Sequence, residues 1–136
     1  MIGDGSIGVD TPDCSSMPIA NSSKLLVSTC DFFYPLVDDP YNQGKIAACN
    51  VLSDLYAMGI VDINTVLMIF GVSTKMTELE KEVTTTLMIK GFNDKCNEAG
   101  APVTGGQTVY NPWTMIGGTA MATVEKADVI EPNNAQ

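Results

Sequence analysis

The chain has 136 residues, enough for one packed domain and short for two, and its 45% hydrophobic and 17% charged content excludes a disordered chain. Sixteen acidic residues face seven cations, all lysine and scattered, so the net charge of −9 offers no footprint for nucleic acid or for anionic membranes. Histidine is absent, which removes Ser-His-Asp and Cys-His nucleophiles, histidine zinc sites and histidine bases; the remaining carboxylates, amides and hydroxyls suit Mg²⁺.

In chain order, residues 1–23 are rich in Gly, Ser, Asp and Pro and read as a leader of loop or extended structure, with apolar islands at Ile7–Val9 and Met17–Ile19. Lys24 to Asp31 is β-branched and apolar, a strand ending in a carboxylate. Asp39-Pro40 opens a helix, an acidic cap followed by proline at the first helical position. Ala47, Ala48, Val51, Leu52, Leu55 and Met58 then form one helical face, and Gly59 ends it. Asp62 to Val72 reads as a second strand. Thr77-Glu78-Leu79-Glu80 is a capping box that starts a long helix to about Ala99, stopped by Gly100. Pro102 to Val109 and Trp113 to Val124 read as two strands, and Asn111-Pro112 between them predicts a hairpin.

This order gives an α+β fold, a mixed four-stranded sheet with two helices on one face, over residues 24–125, followed by a polar tail at 126–136. The sheet's other face is left to Met68, Met115, Ile116 or Met121 in part, and an apolar face of that kind suits a homodimer or a covering domain. Cys14, Cys30, Cys49 and Cys96 show neither CxxC nor zinc-ribbon spacing and read as reduced thiols. No apolar run is long enough to span a membrane, and the first residues lack a signal peptide's pattern, so a cytoplasmic location is expected.

Several residues could carry chemistry. Asn50 and Asp54, four apart, stack on the flank of the first helix, where they can reach one ligand together or form a solvated edge. Asp31 is open between a ligand and a local cap, and Asp38 and Asp39 precede the helix, with capping the better account of Asp39. Gly105-Gly106-Gln107-Thr108 lets backbone approach a phosphate, without a P-loop lysine, and a β-bulge or turn explains its glycines as well. Gly117-Gly118 reads as such a bulge. Asp10 and Asp13 sit in an early loop, and Cys14 beside them has no neighbouring cation to lower its pKa.

The stretch TCDFFYPLVDDPYNQGKIAACNVLSDLYAMG, Thr29 to Gly59, closely resembles the selenophosphate synthetases (selenide, water dikinases). The likeness continues through GVSTKMT, AGAPVTGGQTVYNPW and IGGTAMATV, and the eukaryotic branch matches best at Ala99 to Trp113. The resemblance implies a PurM-like N-terminal domain that forms a β-barrel across a homodimer and uses ATP with several Mg²⁺ ions. The family makes selenophosphate, AMP and phosphate from ATP, hydrogen selenide and water. Carried over, Asp31 and Asp54 are the carboxylates for Mg²⁺ and ATP, with Asn50 as a neighbouring contact. Gly105, Gly106, Gln107 and Thr108 are the nucleotide loop, contributed across the dimer.

An ungapped count places Asp13 on the early metal ligand, with Thr11 and Pro12 beside it on the nucleotide; Asp10 is the alternative. The family's reactive Cys or selenocysteine and its lysine match nothing in this chain, and its second domain would follow Gln136. The expectation is therefore an N-terminal domain or truncated form that does not make selenophosphate alone. The alternatives are a non-catalytic regulatory or dimerisation subunit of the same fold, and another synthetase of the superfamily, against which FFYPLVDDPY and NVLSDLYAMG argue.

Overall fold

A computed structural model describes residues 13–130. The elements are β1 (Ser15–Pro18), β2 (Lys24–Phe33), α1 (Pro40–Ala57), β3 (Thr65–Ser73), α2 (Glu78–Glu98), β4 (Val103–Asn111) and β5 (Met115–Glu125), followed by a single 3₁₀ turn, Lys126–Asp128. They form one mixed sheet in the order β1-β2-β5-β3-β4.

Both helix starts follow from local chemistry. The Asp39 carboxylate accepts from the Asn42 backbone N–H at 2.7 Å, and Pro40 occupies the first turn. At α2 the Thr77 hydroxyl and the Glu80 carboxylate cap each other's backbone N–H groups reciprocally. Gly59 and Gly100 end the helices at φ 74° and 68°.

The apolar face of α1 is buried as its periodicity predicts: Ala47, Ala48, Val51, Leu52 and Leu55 are at most 1% exposed. They meet Val27 of β2 and Ile116, Ala120 and Ala122 of β5 in the same core. Strands β2 and β3 each pair antiparallel with β5, so they run parallel to each other, and β4 is parallel to β3. The two crossover helices consequently run alongside each other on one face of the sheet. They cross in backbone contact: a Cβ on Gly44 would lie 2.1 Å from the Met88 carbonyl oxygen, and one on Gly91 would lie 2.0 Å from that of Tyr41. Only glycine admits so close an approach.

Three expectations are corrected. The sheet has five strands, not four, because the island at Met17, read as loop or extended structure, pairs with β2 (Met17 opposite Leu26). The last two strands form no hairpin, since β4 pairs with the far side of β3 while β5 passes between β2 and β3. The pair Gly117-Gly118 is no bulge: its register is continuous on both sides. There a Cβ would come within 2.0 Å of the Asp31 carbonyl oxygen at Gly117 and 2.6 Å of that of Leu67 at Gly118. A central strand gripped from both edges accounts for the two glycines. The bulge lies on β4, where Val66 pairs with Val103 and Leu67 with Gly105.

The pleat sorts the methionines. Met68 lies on the helix side with Val66 and Phe70, and Ile116 is fully buried there, whereas Met115 and Met121 alternate onto the opposite face. That face also carries Met17 and Phe32, 47% and 41% exposed. Among the described residues no helix is long and apolar enough to cross a membrane.

Candidate functional site

Strand β2 runs two residues beyond Asp31, so this carboxylate sits within the strand and is half-buried. Alternation from the buried Val27 and Thr29 puts it on the helix side of the sheet, toward Asp54 in the last turns of α1. The Thr29 hydroxyl donates to Asp54 Oδ2 at 2.7 Å, tying strand to helix. Asp31 and Asp54 are close enough to hydrogen-bond when one is protonated, and Asp13, exposed just before β1, adds its charge to that felt by Asp31. Burial, then the charges of Asp54 and Asp13, hold the Asp31 carboxyl above its ordinary value.

Cys14 joins this group. Its thiol is 6% exposed, and burial together with the charges of Asp54, Asp13 and Asp31 pushes its pKa up to about 11, against the pull of the nearby Thr29 hydroxyl. It is therefore a neutral thiol at physiological pH. All four cysteines are free. Sequence reasoning set Cys14 aside and passed over Thr29, which reads as one more β-branched strand residue. The available signal was the period of two, which places Thr29 on the same face as Asp31.

Asp31 feels the charges of Asp54 and Asp13, and among the described residues no cation offsets them, a repulsion that a divalent ion would convert to attraction. Their hard oxygens fit Mg²⁺, and Asn50, half-buried one turn before Asp54, adds an amide oxygen. Among the described residues no three acidic or thiol side chains gather tightly enough to enclose an ion alone. Mg²⁺ commonly takes one or two carboxylates and completes its shell with water and phosphate oxygens, which agrees with an open pair. Asp13, Ser15, Ser28, Thr29, Cys30, Thr119 and Met121 line a depression of about 350 Å³, whose strand residues Ser28, Cys30, Thr119 and Met121 alternate onto the sheet face opposite Asp31. Thr11, Pro12 and Asp10 lie outside the described residues.

Gly105, Gly106, Gln107 and Thr108 form part of edge strand β4 and are not a loop. They line a hollow of about 200 Å³ against Met68, Phe92 and Asn93, which shares Thr108 with a larger hollow of about 460 Å³ beneath the start of α2. Gly106, at φ 150°, is required by packing, since a Cβ there would meet the Met68 carbonyl oxygen at 1.9 Å; at Gly105 a Cβ would make only an ordinary contact with Leu67. With β5 and β3 between them, β4 lies three strand spacings from β2, roughly 14 Å. A single chain thus brings Asp13 and Asp54 near Asp31, carries Asn50 one turn before Asp54 on α1, and leaves the Gly-Gly-Gln-Thr stretch apart.

Residues 12–124 match the family model described as AIR synthase related protein, N-terminal domain. The chain belongs to this family. Within it, the chain is 52% identical over 130 residues to selenide, water dikinase 2 of Mus musculus, covering 96% of this chain and 28% of that protein. It is 50% identical over 125 residues to selenide, water dikinase of Leishmania major, covering 88% and 31% respectively. The chain thus spans about a third of the length of these relatives. Among solved structures, AaThiL complexed with AMPPCP and TMP superposes with a TM-score of 0.75 at 18% identity, over 92% of this chain and 39% of that one. For T. maritima PurL complexed with AMPPCP the values are 0.73, 16%, 93% and 23%. At those identities the likeness shows a shared fold alone.

Proposed function

We propose that this chain is the ATP- and Mg²⁺-binding N-terminal domain of a selenophosphate synthetase. The observation that carries the reading is the approach of Asp54, held by Thr29, and of Asp13 to Asp31, in a chain about 50% identical to selenide, water dikinases. Asp31 and Asp54 hold the cation and Asn50 orients a phosphate oxygen or a metal-bound water, while Asp13 closes the site from the β1 side. Bound Mg²⁺ would supply neutralisation of the polyphosphate charge, so that nine net negative charges on the protein no longer oppose an anionic nucleotide.

The Gly105 to Thr108 stretch contributes from a second copy. Its distance from β2 within one chain and the apolar outer face (Met17 and Phe32 exposed, Met115 and Met121 half-buried) both support a homodimer closing through these sheets. The parent protein, acting in the cytoplasm, uses selenide as co-substrate; the present 136 residues bind nucleotide without completing the reaction, in keeping with their third of the relatives' length.

Calorimetric titration with ATP, with and without Mg²⁺, beside sedimentation velocity, tests the reading. Mg²⁺-dependent binding to a dimer is expected. A monomer or dimer that ignores Mg·ATP at millimolar concentration overturns it.

A further inference from the structure

Thr29 is 4% exposed, and its hydroxyl proton is committed to Asp54 Oδ2 at 2.7 Å. Its backbone is fixed by pairing with Ala120 of central strand β5, and a β-branched residue keeps few χ1 rotamers. Asp54 is anchored as firmly from the other side, because the next residue, Leu55, is fully buried in the core. A hydroxyl that cannot move thus engages one oxygen of a carboxylate whose backbone cannot move. Among the described residues no donor other than Thr29 engages Asp54, so its second oxygen stays available beside Asp31.

Packing alone does not call for this arrangement. A valine would fill nearly the same volume in the core without drawing a charged group to the strand. What the hydroxyl adds is direction: it fixes which Asp54 oxygen faces the strand and which faces the open side of the site.

We propose that Thr29 is a positioning residue that holds Asp54 by one oxygen so that the other is presented to a divalent cation. This role rests on the cation reading given under Proposed function. It assigns to a residue that touches neither metal nor nucleotide a share of the metal affinity.

The test uses the full chain, Mn²⁺ as the probe, and Thr29→Val beside Thr29→Ser. In the metal-free protein, side-chain couplings of Asp54 should report one χ1 rotamer in the wild type and in Thr29→Ser, and averaging in Thr29→Val. Mn²⁺ affinity should fall roughly tenfold in Thr29→Val and stay within about twofold of wild type in Thr29→Ser. If Thr29→Val does not fold, Thr29→Ala, which only shrinks the side chain, takes its place. An unaveraged Asp54 in Thr29→Val, an unchanged Mn²⁺ affinity there, or a Thr29→Ser as weak as Thr29→Val overturns the proposal. A wild-type chain that ignores Mn²⁺ overturns the cation reading itself, and this role of Thr29 with it. Binding that is tight in the wild type and equally tight in Thr29→Val overturns the role of Thr29 alone.

Discussion

Asp54→Asn separates the two things that this side chain could be doing. In the folded chain Asp54 accepts the Thr29 hydroxyl at 2.7 Å and raises the pKa of its neighbour Asp31. A hydrogen bond to a charged acceptor contributes about 1.5–3 kcal/mol, and one to a neutral acceptor about 1 kcal/mol. The amide keeps the neutral bond if its oxygen faces Thr29, and its NH₂ can then donate toward the Asp31 carboxylate. The loss is therefore about 1 kcal/mol, offset in part by relief of the like-charge repulsion. For a chain of this size the thermal midpoint should move by less than about 5 °C. Affinity for Mg·ATP should fall at least tenfold, about 1.4 kcal/mol, because one of the two central carboxylates is gone. Differential scanning calorimetry and ligand titration on the same preparation read both quantities. A midpoint lowered by 10 °C or more without ligand would make Asp54 a structural residue, and an unchanged affinity would remove it from the site.

The remaining predictions concern charge and packing. Asp31 has a raised folded-state pKa, caused first by burial and then by Asp54 and Asp13, so the fold holds its proton more tightly than the unfolded chain does. Its favourable contribution is complete below its unfolded pKa and is lost as pH rises through the raised value. Asp31→Asn should therefore raise the midpoint of the metal-free chain at pH 7 by an amount within about 1 kcal/mol, since the site is half open to water. The gain should shrink as pH falls through the raised value and vanish below the ordinary aspartate range, where the side chain is neutral in both states; a destabilised variant at pH 7 would contradict this. Gly44→Ala would set a Cβ 2.1 Å from the Met88 carbonyl oxygen and 2.8 Å from the Phe92 nitrogen, both backbone atoms that cannot rotate away. Parting the helices should outweigh the roughly 1 kcal/mol gained in helix propensity and leave a net loss of about 2 kcal/mol. A thermal melt showing a midpoint equal to or above wild type would refute the crossing.

What could be read from the sequence follows the range of the interactions. Helices α1 and α2 rest on local signals (the Asp39-Pro40 start, the Thr77-Glu80 box, the glycine stops), and all of these are found. Strand order is decided by partners far along the chain. Nothing near Asn111-Pro112 states that β5 must pass over β3, and a turn dipeptide between two strand-like runs suggests a hairpin that the sheet does not form. The long-range requirement did leave a trace in Gly117-Gly118, where backbone crowds in from β2 on one side and β3 on the other, although a bulge reads the same in one dimension. Likewise, a four-residue strand such as β1 is too short to show a period.

The site divides along the same line. Asp31 stood out as a carboxylate on an apolar strand, and Asp54 as a carboxylate on the edge of an apolar stripe, and the fold brings them together. Thr29 and Cys14 were hidden because their residue types are ordinary core choices, and their meaning comes only from Asp54 across 25 residues of sequence and from burial beside it. Gly106 shows the converse, since a glycine that suggests phosphate contact is demanded by the Met68 carbonyl in any case.

The most direct measurement is paramagnetic broadening of the backbone amide spectrum by substoichiometric Mn²⁺ in the presence of ATP. If Asp31 and Asp54 hold the metal–nucleotide complex, the amides of residues 29–31 and 50–54 broaden first, and excess Mg²⁺ restores them. Broadening centred instead on the acidic start of α2, around Glu78 and Glu82, with residues 29–31 and 50–54 sharp, would contradict the account.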